Sequence, residues 1–156
     1  MERILPRNLR LGVVDEMEDH PRSVLPPNAT MPVTYEFDGC IVAMRLRGVY
    51  ETADVRDALR GALDDPRCPR AAGLLFDMRG SRSITQRSAT EVRTMAQFIA
   101  AHAERFGRRL ALLADTDAAF GLMRLGAVTV EQQGVEASVF RNAAQAAEWL
   151  GAGRTP

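Results

Sequence analysis

The chain has 156 residues, of which 46% are hydrophobic, a size and composition typical of one domain with a substantial core. Its 20 basic and 20 acidic residues cancel, so no overall field attracts nucleic acid or an anionic membrane. The 2 cysteines lack the spacing of a zinc or redox site, and no run reaches the roughly 18 apolar residues of a membrane span. We therefore expect no metal, no cofactor, no nucleic-acid partner and no membrane span. The N-terminus lacks a secretory signal, so we expect a cytoplasmic location.

Residues 1–31 differ in composition from the rest of the chain. Prolines are frequent there, and residues 15–20 form the acidic run DEMEDH. We interpret this segment as an extended N-terminal arm, followed by an α/β domain over residues 32–151 and a tail over 152–156. A disordered tail is the alternative for the arm, although its apolar residues favour docking on a folded body.

The domain begins with two strand patterns, VTYEF and CIVAMRLRG, on either side of Asp38-Gly39. Asp-Gly between such runs predicts a two-residue hairpin. The second strand alternates, so Cys40 is expected to be a small buried residue while Arg45 faces solvent. Thr52 is expected to cap the helix that follows.

Three further strand patterns alternate with helix patterns along the rest of the chain. The apolar runs AGLLFD and RLALLAD indicate buried parallel strands, and the alternating run VEASVF indicates a strand nearer the sheet edge. Ser88 and Glu91 form a capping box at the start of a helix predicted over 88–106. Helices over about 117–130 and after Asn142 complete the pattern.

The order β-β-α-β-α-β-α-β-α with short connections predicts an α/β fold. We expect a five-stranded, mostly parallel sheet with a leading antiparallel hairpin and about four helices. Right-handed crossovers in a sequential strand order place all the helices on one face. The central strands are apolar on both sides, so the other face also needs a cover. The N-terminal arm is the first candidate for that cover, and a partner subunit is the second.

This element order resembles the STAS domains (sulphate-transporter and anti-sigma-factor-antagonist domains), also called the SpoIIAA-like fold, over about residues 33–151. The resemblance rests on LLFD leading into a serine-rich loop before a capped helix, on FGLMR at 120–124, and on the run VFRNAAQAAEWL. It implies a regulatory interaction module in which a kinase phosphorylates the serine of an Asp-Ser pair. Asp77 matches the strand-end aspartate of that pattern. Thr85-Gln86 stands where the Asp-Ser pair would be, so the usual phospho-switch is not expected.

The loop between Asp77 and the capped helix is the main candidate site. It lies at the carboxyl end of a central parallel strand, where ligands of open α/β sheets collect, and at a helix N-terminus, which favours anions. An anion, another ligand or a partner could bind there. Alternatively, Ser88 only caps the helix and the arginines are solvated. The candidate contact residues are Arg79, Arg82, Ser83, Thr85, Gln86, Arg87 and Ser88.

A second candidate surface lies on the helix predicted over 117–130, which is apolar on two faces. A helix of this kind is usually covered on both sides. We expect Leu122 and Leu125, together with Phe98 on the preceding helix, to contact another subunit or a ligand. Cover from within the chain is the alternative.

No nucleophile–base pair, metal cluster or phosphate loop is recognisable, so we do not expect an enzyme. The first functional hypothesis is a non-enzymatic, STAS-like regulatory interaction module that is homodimeric or binds a protein partner. The second is a carrier or sensor of a small acidic or lipid-like ligand, similar to lipid-transfer folds. In that case an apolar pocket would lie between the helices, and the arginine-rich loop would bind the acidic head group.

Overall fold

A five-stranded sheet forms the centre of the fold. The computed structural model describes residues 31–152; the predicted arm before Met31 and the tail after Ala152 lie outside this range. The described residues from Pro32 onward belong to one compact unit. The strands are β1 (Val33–Asp38), β2 (Ile41–Leu46), β3 (Gly73–Asp77), β4 (Arg109–Leu113) and β5 (Glu136–Phe140).

The strands lie in the sheet in the same order as in the chain. β1 pairs antiparallel with β2, and every later pair is parallel. Sequential order follows from the short strand–helix–strand connections, since each crossover returns the chain beside the strand it left. The predicted fold class, an α/β domain with a mostly parallel sheet and a leading hairpin, is confirmed.

The β1–β2 hairpin turns one residue later than the sequence pattern predicts. Asp38 pairs with Ile41, so Gly39 and Cys40 form the two-residue turn. Gly39 has φ +60, and glycine at the first turn position supplies the positive φ that a type II′ turn needs. The prediction that Cys40 is buried is therefore wrong: it is an exposed turn residue, because the register places it outside the strand.

Four α-helices connect or follow the strands, and none of those described is long and apolar enough to cross a membrane. The capping box of Ser88 and Glu91 at the start of the second helix is confirmed. The first helix starts one residue earlier than predicted, since Glu51 is its cap and Thr52 its first helical residue. The helices are α1 (Thr52–Asp64), α2 (Ala89–Ala101), α3 (Asp117–Glu131) and α4 (Ala143–Ala152).

Helix α2 is shorter than its apolar pattern suggests. The α-helix ends at Ala101, and a 3-10 turn over Ala103–Arg105 carries the chain onward. His102 ends the helix: its ring Nδ1 lies 2.9 Å from the carbonyl oxygen of Phe98. Ala103 and Phe106 are still buried, so the apolar spacing correctly predicts burial while overestimating the length of the helix.

The main core lies between α1–α3 and one face of the sheet. The inward side chains of β2, β3 and β4, such as Val42, Leu74 and Leu110, belong to it together with Leu59 of α1 and Val130 of α3. This placement of the three crossover helices confirms the handedness argument, because each right-handed crossover puts its helix on the same face.

Helix α4 covers the opposite face of the sheet, and this corrects the expectation that all helices share one face. Ala146 and Leu150 of α4 pack on Ala111 of β4, with Leu75 and Trp149 at the margin of the cluster. The handedness rule does not apply to α4, because this helix follows the last strand and joins no two strands. The central strands are therefore covered from within the domain, which the sequence pattern left to the arm or a partner.

Candidate functional site

Two loops run side by side at the carboxyl edge of the sheet. We call residues 78–88 the junction loop; the other is the segment 47–51 between β2 and α1. Gly48 joins them, since its N–H donates to the Gly80 carbonyl and its carbonyl accepts from the Arg82 N–H, each at 2.8 Å. These bonds extend the parallel pairing of β2 and β3 by one bridge, so the candidate loop is held by the sheet.

Asp77, at the end of β3, is buried and binds two arginines. Arg79 donates from Nε and Nη2 to its two carboxylate oxygens at 3.0 and 2.9 Å, and Arg47 donates from Nη2 at 3.0 Å. Burial by itself raises the pKa of Asp77. The hydrogen bonds from Arg79 and Arg47 outweigh that effect and hold its pKa below the usual value. The strand-end aspartate thus serves to hold the loop, and Arg79 is occupied by it.

Ser83 and Arg87 fasten the other side of the junction loop to Tyr50. The Ser83 hydroxyl accepts from the Tyr50 N–H at 2.9 Å and donates to the Tyr50 carbonyl at 3.2 Å, and Ser83 is only 2% exposed. Arg87 donates from Nη2 to the same carbonyl at 2.7 Å, with its guanidinium carbon 5.6 Å from the centre of the Tyr50 ring. Burial raises the pKa of Tyr50, so its hydroxyl stays protonated beside Ser81, 2.6 Å away.

The N-terminus of α2 is capped by its own side chains. Ser88 Oγ accepts from the Glu91 N–H at 3.1 Å, and a Glu91 carboxylate oxygen accepts from the Ser88 N–H at 2.8 Å. A carboxylate therefore already interacts with the partial positive charge of this terminus. Three loop side chains are exposed beside it: Arg82, Thr85 and Gln86.

The other strand-end carboxylates are engaged separately. Asp115 accepts from the Gly80 N–H at 3.2 Å, and Asp117 pairs with Arg141 at 2.6 Å. Within residues 31–152 no three His, Cys, Asp or Glu side chains gather as a metal site. These carboxylates support loop and helix starts, which gives them a structural role.

A cavity of about 70 Å³ opens within the main core, between α1, α2, α3 and the sheet. Its walls are apolar and include the sheet residue Phe76 and three methionines, Met78, Met95 and Met123. Small residues face it from the helices, namely Ala96 of α2 and Gly126 of α3. Native interiors leave few voids larger than a water molecule, so an apolar space of this size is unusual in a core.

Polar groups lie where this cavity reaches the carboxyl edge of the sheet. Tyr50, Thr52, Arg87 and Glu91 all line it, and they come from the two loops and the first turns of α1 and α2. The cavity and the junction loop therefore share three residues, Met78, Ile84 and Arg87, of which Arg87 is charged and half-buried. An apolar space with a few polar groups at one end is the usual form of a small-molecule site.

The predicted interface residues are partly buried within the described domain. Leu122 packs against the main core, and Leu125 is half-buried on the same helix. Phe98 has the Arg60 guanidinium of α1 5.1 Å from its ring centre and the His102 ring at 4.6 Å. Their role at a subunit interface stays a prediction; Phe98 already links α1 to α2.

Sequence reasoning missed Tyr50, and it predicted an apolar pocket between the helices only under the second functional hypothesis, without naming the residues that line it. Tyr50 anchors both Ser83 and Arg87, but it stands in a short loop without periodicity, and its partners are more than 30 positions away. The cavity arises from the absence of atoms between several elements, which no local pattern records. Glu91, read from the sequence only as a capping residue, also lines the cavity mouth.

Comparison with known proteins adds no relative. No protein-family model, no curated protein and no solved structure matches the chain. The resemblance to STAS domains therefore stays a prediction from the sequence.

Proposed function

We propose that the chain is a non-enzymatic binding module that takes a small, largely apolar molecule into the cavity between α1, α2 and α3. The observation that supports this proposal is the apolar cavity itself, which reaches a polar edge at Tyr50 and Arg87. Unfilled apolar volume in a core lowers stability, because lining atoms lose their packing partners. A guest that fills it restores those contacts.

The lining favours an adaptable site. Met78, Met95 and Met123 surround the cavity, and the unbranched methionine side chain changes shape easily to fit different guests. An engineered apolar cavity of roughly 150 Å³ binds benzene, whereas the space here is about 70 Å³. The fitting guest is therefore small, or it displaces methionine side chains to enter.

Xenon, a small apolar probe, tests the cavity directly. In protein labelled with ¹³C on the methionine methyl groups, xenon under pressure should shift the signals of Met78, Met95 and Met123. Met44 does not line the cavity and serves as the internal reference. Ala96→Leu, which fills the space, should abolish the response, and Ala101→Leu at an exposed position of the same helix should not.

Native mass spectrometry of the untagged protein then asks whether a natural guest is present. A small molecule that copurifies with the wild-type chain and with Ala101→Leu, but not with Ala96→Leu, would support the proposal. A protein that is unresponsive to xenon and always free of small molecules would contradict it.

A second candidate function, the STAS-like interaction module, has its own supporting observation. Val49 is 62% exposed in the segment paired with the junction loop, and Val128 is 51% exposed on α3. Light scattering over a range of concentrations tests it. We expect a dimer that Leu125→Ala or Val128→Ser weakens; a monomer at every concentration would count against a homodimer.

A further inference from the structure

We infer that the natural guest of the cavity is a short-chain aliphatic monocarboxylic acid whose carboxylate is bound by Arg87. This inference rests on the proposed function and adds the chemical class of the ligand. Its starting point is the position of Arg87, which lines the cavity and is half-buried at its mouth.

Arg87 keeps donors available for a ligand. Its guanidinium uses Nη2 for the Tyr50 carbonyl, at 2.7 Å, and within residues 31–152 no carboxylate pairs with it. Arginine carries five N–H donors in a planar fork that matches a carboxylate. The stacking on Tyr50 and the bond to its carbonyl fix the orientation of the fork before a ligand arrives.

The same mouth favours an anion over a cation. Glu91, the other charged group there, is exposed, and one of its oxygens already accepts the Ser88 N–H. Arg87 is the less hydrated of the two charges, so its interaction with an incoming charge is stronger. The first turn of α2 adds partial positive charge on the same side.

The ligand carries one negative charge and a short chain. Among the described residues that line the cavity, Arg87 is the one cation, and Glu91 beside it repels a second negative charge on the ligand. Behind these groups the walls are apolar and the space is about 70 Å³, which suits a short aliphatic chain and excludes a diacyl lipid without large rearrangement.

The test uses the full chain with ¹³C-labelled methionine methyl groups and three probes of equal chain length: hexanoate, 1-hexanol and hexylamine. Each probe that binds should shift the methyl signals of Met78, Met95 and Met123, and the Met44 signal should stay unchanged. We expect hexanoate to bind about ten- to a hundredfold more tightly than hexanol, the factor of one charge-assisted hydrogen-bonded pair. Hexylamine should bind no better than hexanol.

Arg87→Gln should reduce hexanoate affinity to that of hexanol and leave hexanol affinity unchanged. Arg82→Gln, an exposed arginine of the same loop that does not line the cavity, is the matched control and should retain the preference. If Arg87→Gln does not fold, as judged from the Met44 signal, Arg87→Lys replaces it. Lysine keeps the charge and loses the fork, so the ratio of hexanoate to hexanol affinity should fall several-fold.

The outcomes separate this inference from the proposed function. Equal affinity for hexanoate and hexanol, or a preference that survives both Arg87 variants, overturns the assignment of a carboxylic acid while the cavity remains a binding site. A preference for hexylamine overturns the assignment of a carboxylic acid in favour of an amine bound by Glu91. No response to any of the three probes, together with no response to xenon, overturns the inference and the proposed function alike.

Discussion

The two faces of the sheet are filled in different ways. On one face, α1, α2 and α3 surround a cavity of about 70 Å³. On the other, α4 packs so closely that a Cβ atom at Gly73 would lie 3.0 Å from Leu150 Cδ2. The helices of the first face each connect two strands. Helix α4 follows only β5 and settles directly on β3 and β4.

The largest expected effect is the loss of the main α4 contact. Leu150 is fully buried and reaches into the space that Gly73 leaves free. Leu150→Ala should lower the free energy of unfolding by about 3 kcal/mol, because the tight surroundings cannot collapse around the removed atoms. Urea unfolding measures this, with Val128→Ala at an exposed site as control. A loss no larger than that of the control would show that α4 is loosely held.

A pair of identical substitutions tests the comparison most directly. Ala146→Leu, at a fully buried position of α4, should lower the free energy of unfolding by about 2 kcal/mol through overpacking. Ala96→Leu, facing the cavity, should stabilise the protein by about 1 kcal/mol by filling it. Thermal unfolding of both variants measures whether each substitution raises or lowers stability. If both substitutions destabilise equally, the two faces do not differ in packing.

The buried carboxylate Asp77, on the α4 face, gives a pH-dependent effect. Asp77→Asn should lower the free energy of unfolding by about 2 kcal/mol at neutral pH, because it removes the charged acceptor of two arginines. The loss stays moderate because both arginines are partly exposed and regain water. The lowered pKa means that the unfolded chain takes up the proton first. The stabilisation is therefore complete above about pH 4, the ordinary value for Asp, and is lost as pH falls through the folded-state pKa.

Unfolding measured from pH 7 downward should show the wild-type and Asp77→Asn curves converging in acid. Asp117→Asn, which removes the exposed partner of Arg141, should lower the free energy of unfolding by less than about 1 kcal/mol, well below the loss in Asp77→Asn. Parallel curves for wild type and Asp77→Asn would mean that the charge of Asp77 does not contribute.

The smallest expected effect concerns the margin of the α4 cluster. Arg109 lies 4.1 Å from the Trp149 ring centre and donates to the Trp149 carbonyl at 2.6 Å. Arg109→Lys should cost about 1 kcal/mol, because lysine keeps the charge but loses the planar stack and fork. Chemical denaturation of Arg109→Lys, compared with Arg108→Lys at an exposed position, measures this loss of stability. Equal stability of the two variants would remove Arg109 from the list of contacts that hold α4.

The fold could be read largely from local patterns, and the site only in part. Apolar runs such as GLLFD and the capping box of Ser88 and Glu91 predict their elements because each depends on neighbouring residues alone. The junction loop was correctly placed at a strand end, but the roles of its residues could not be predicted. Ser83 and Arg87 bind Tyr50, and Arg79 binds Asp77, through contacts that only the assembled loops create.

The sequence by itself determined the order and type of the elements and the side chains that face the main core, since these depend on periodicity and on the handedness of crossovers. Only the tertiary structure decided the side on which α4 lies, the groups that the loop arginines bind, and the cavity at Arg87. Those features depend on how distant elements approach one another, and the free energy of such contacts is not recorded in any short stretch of the chain.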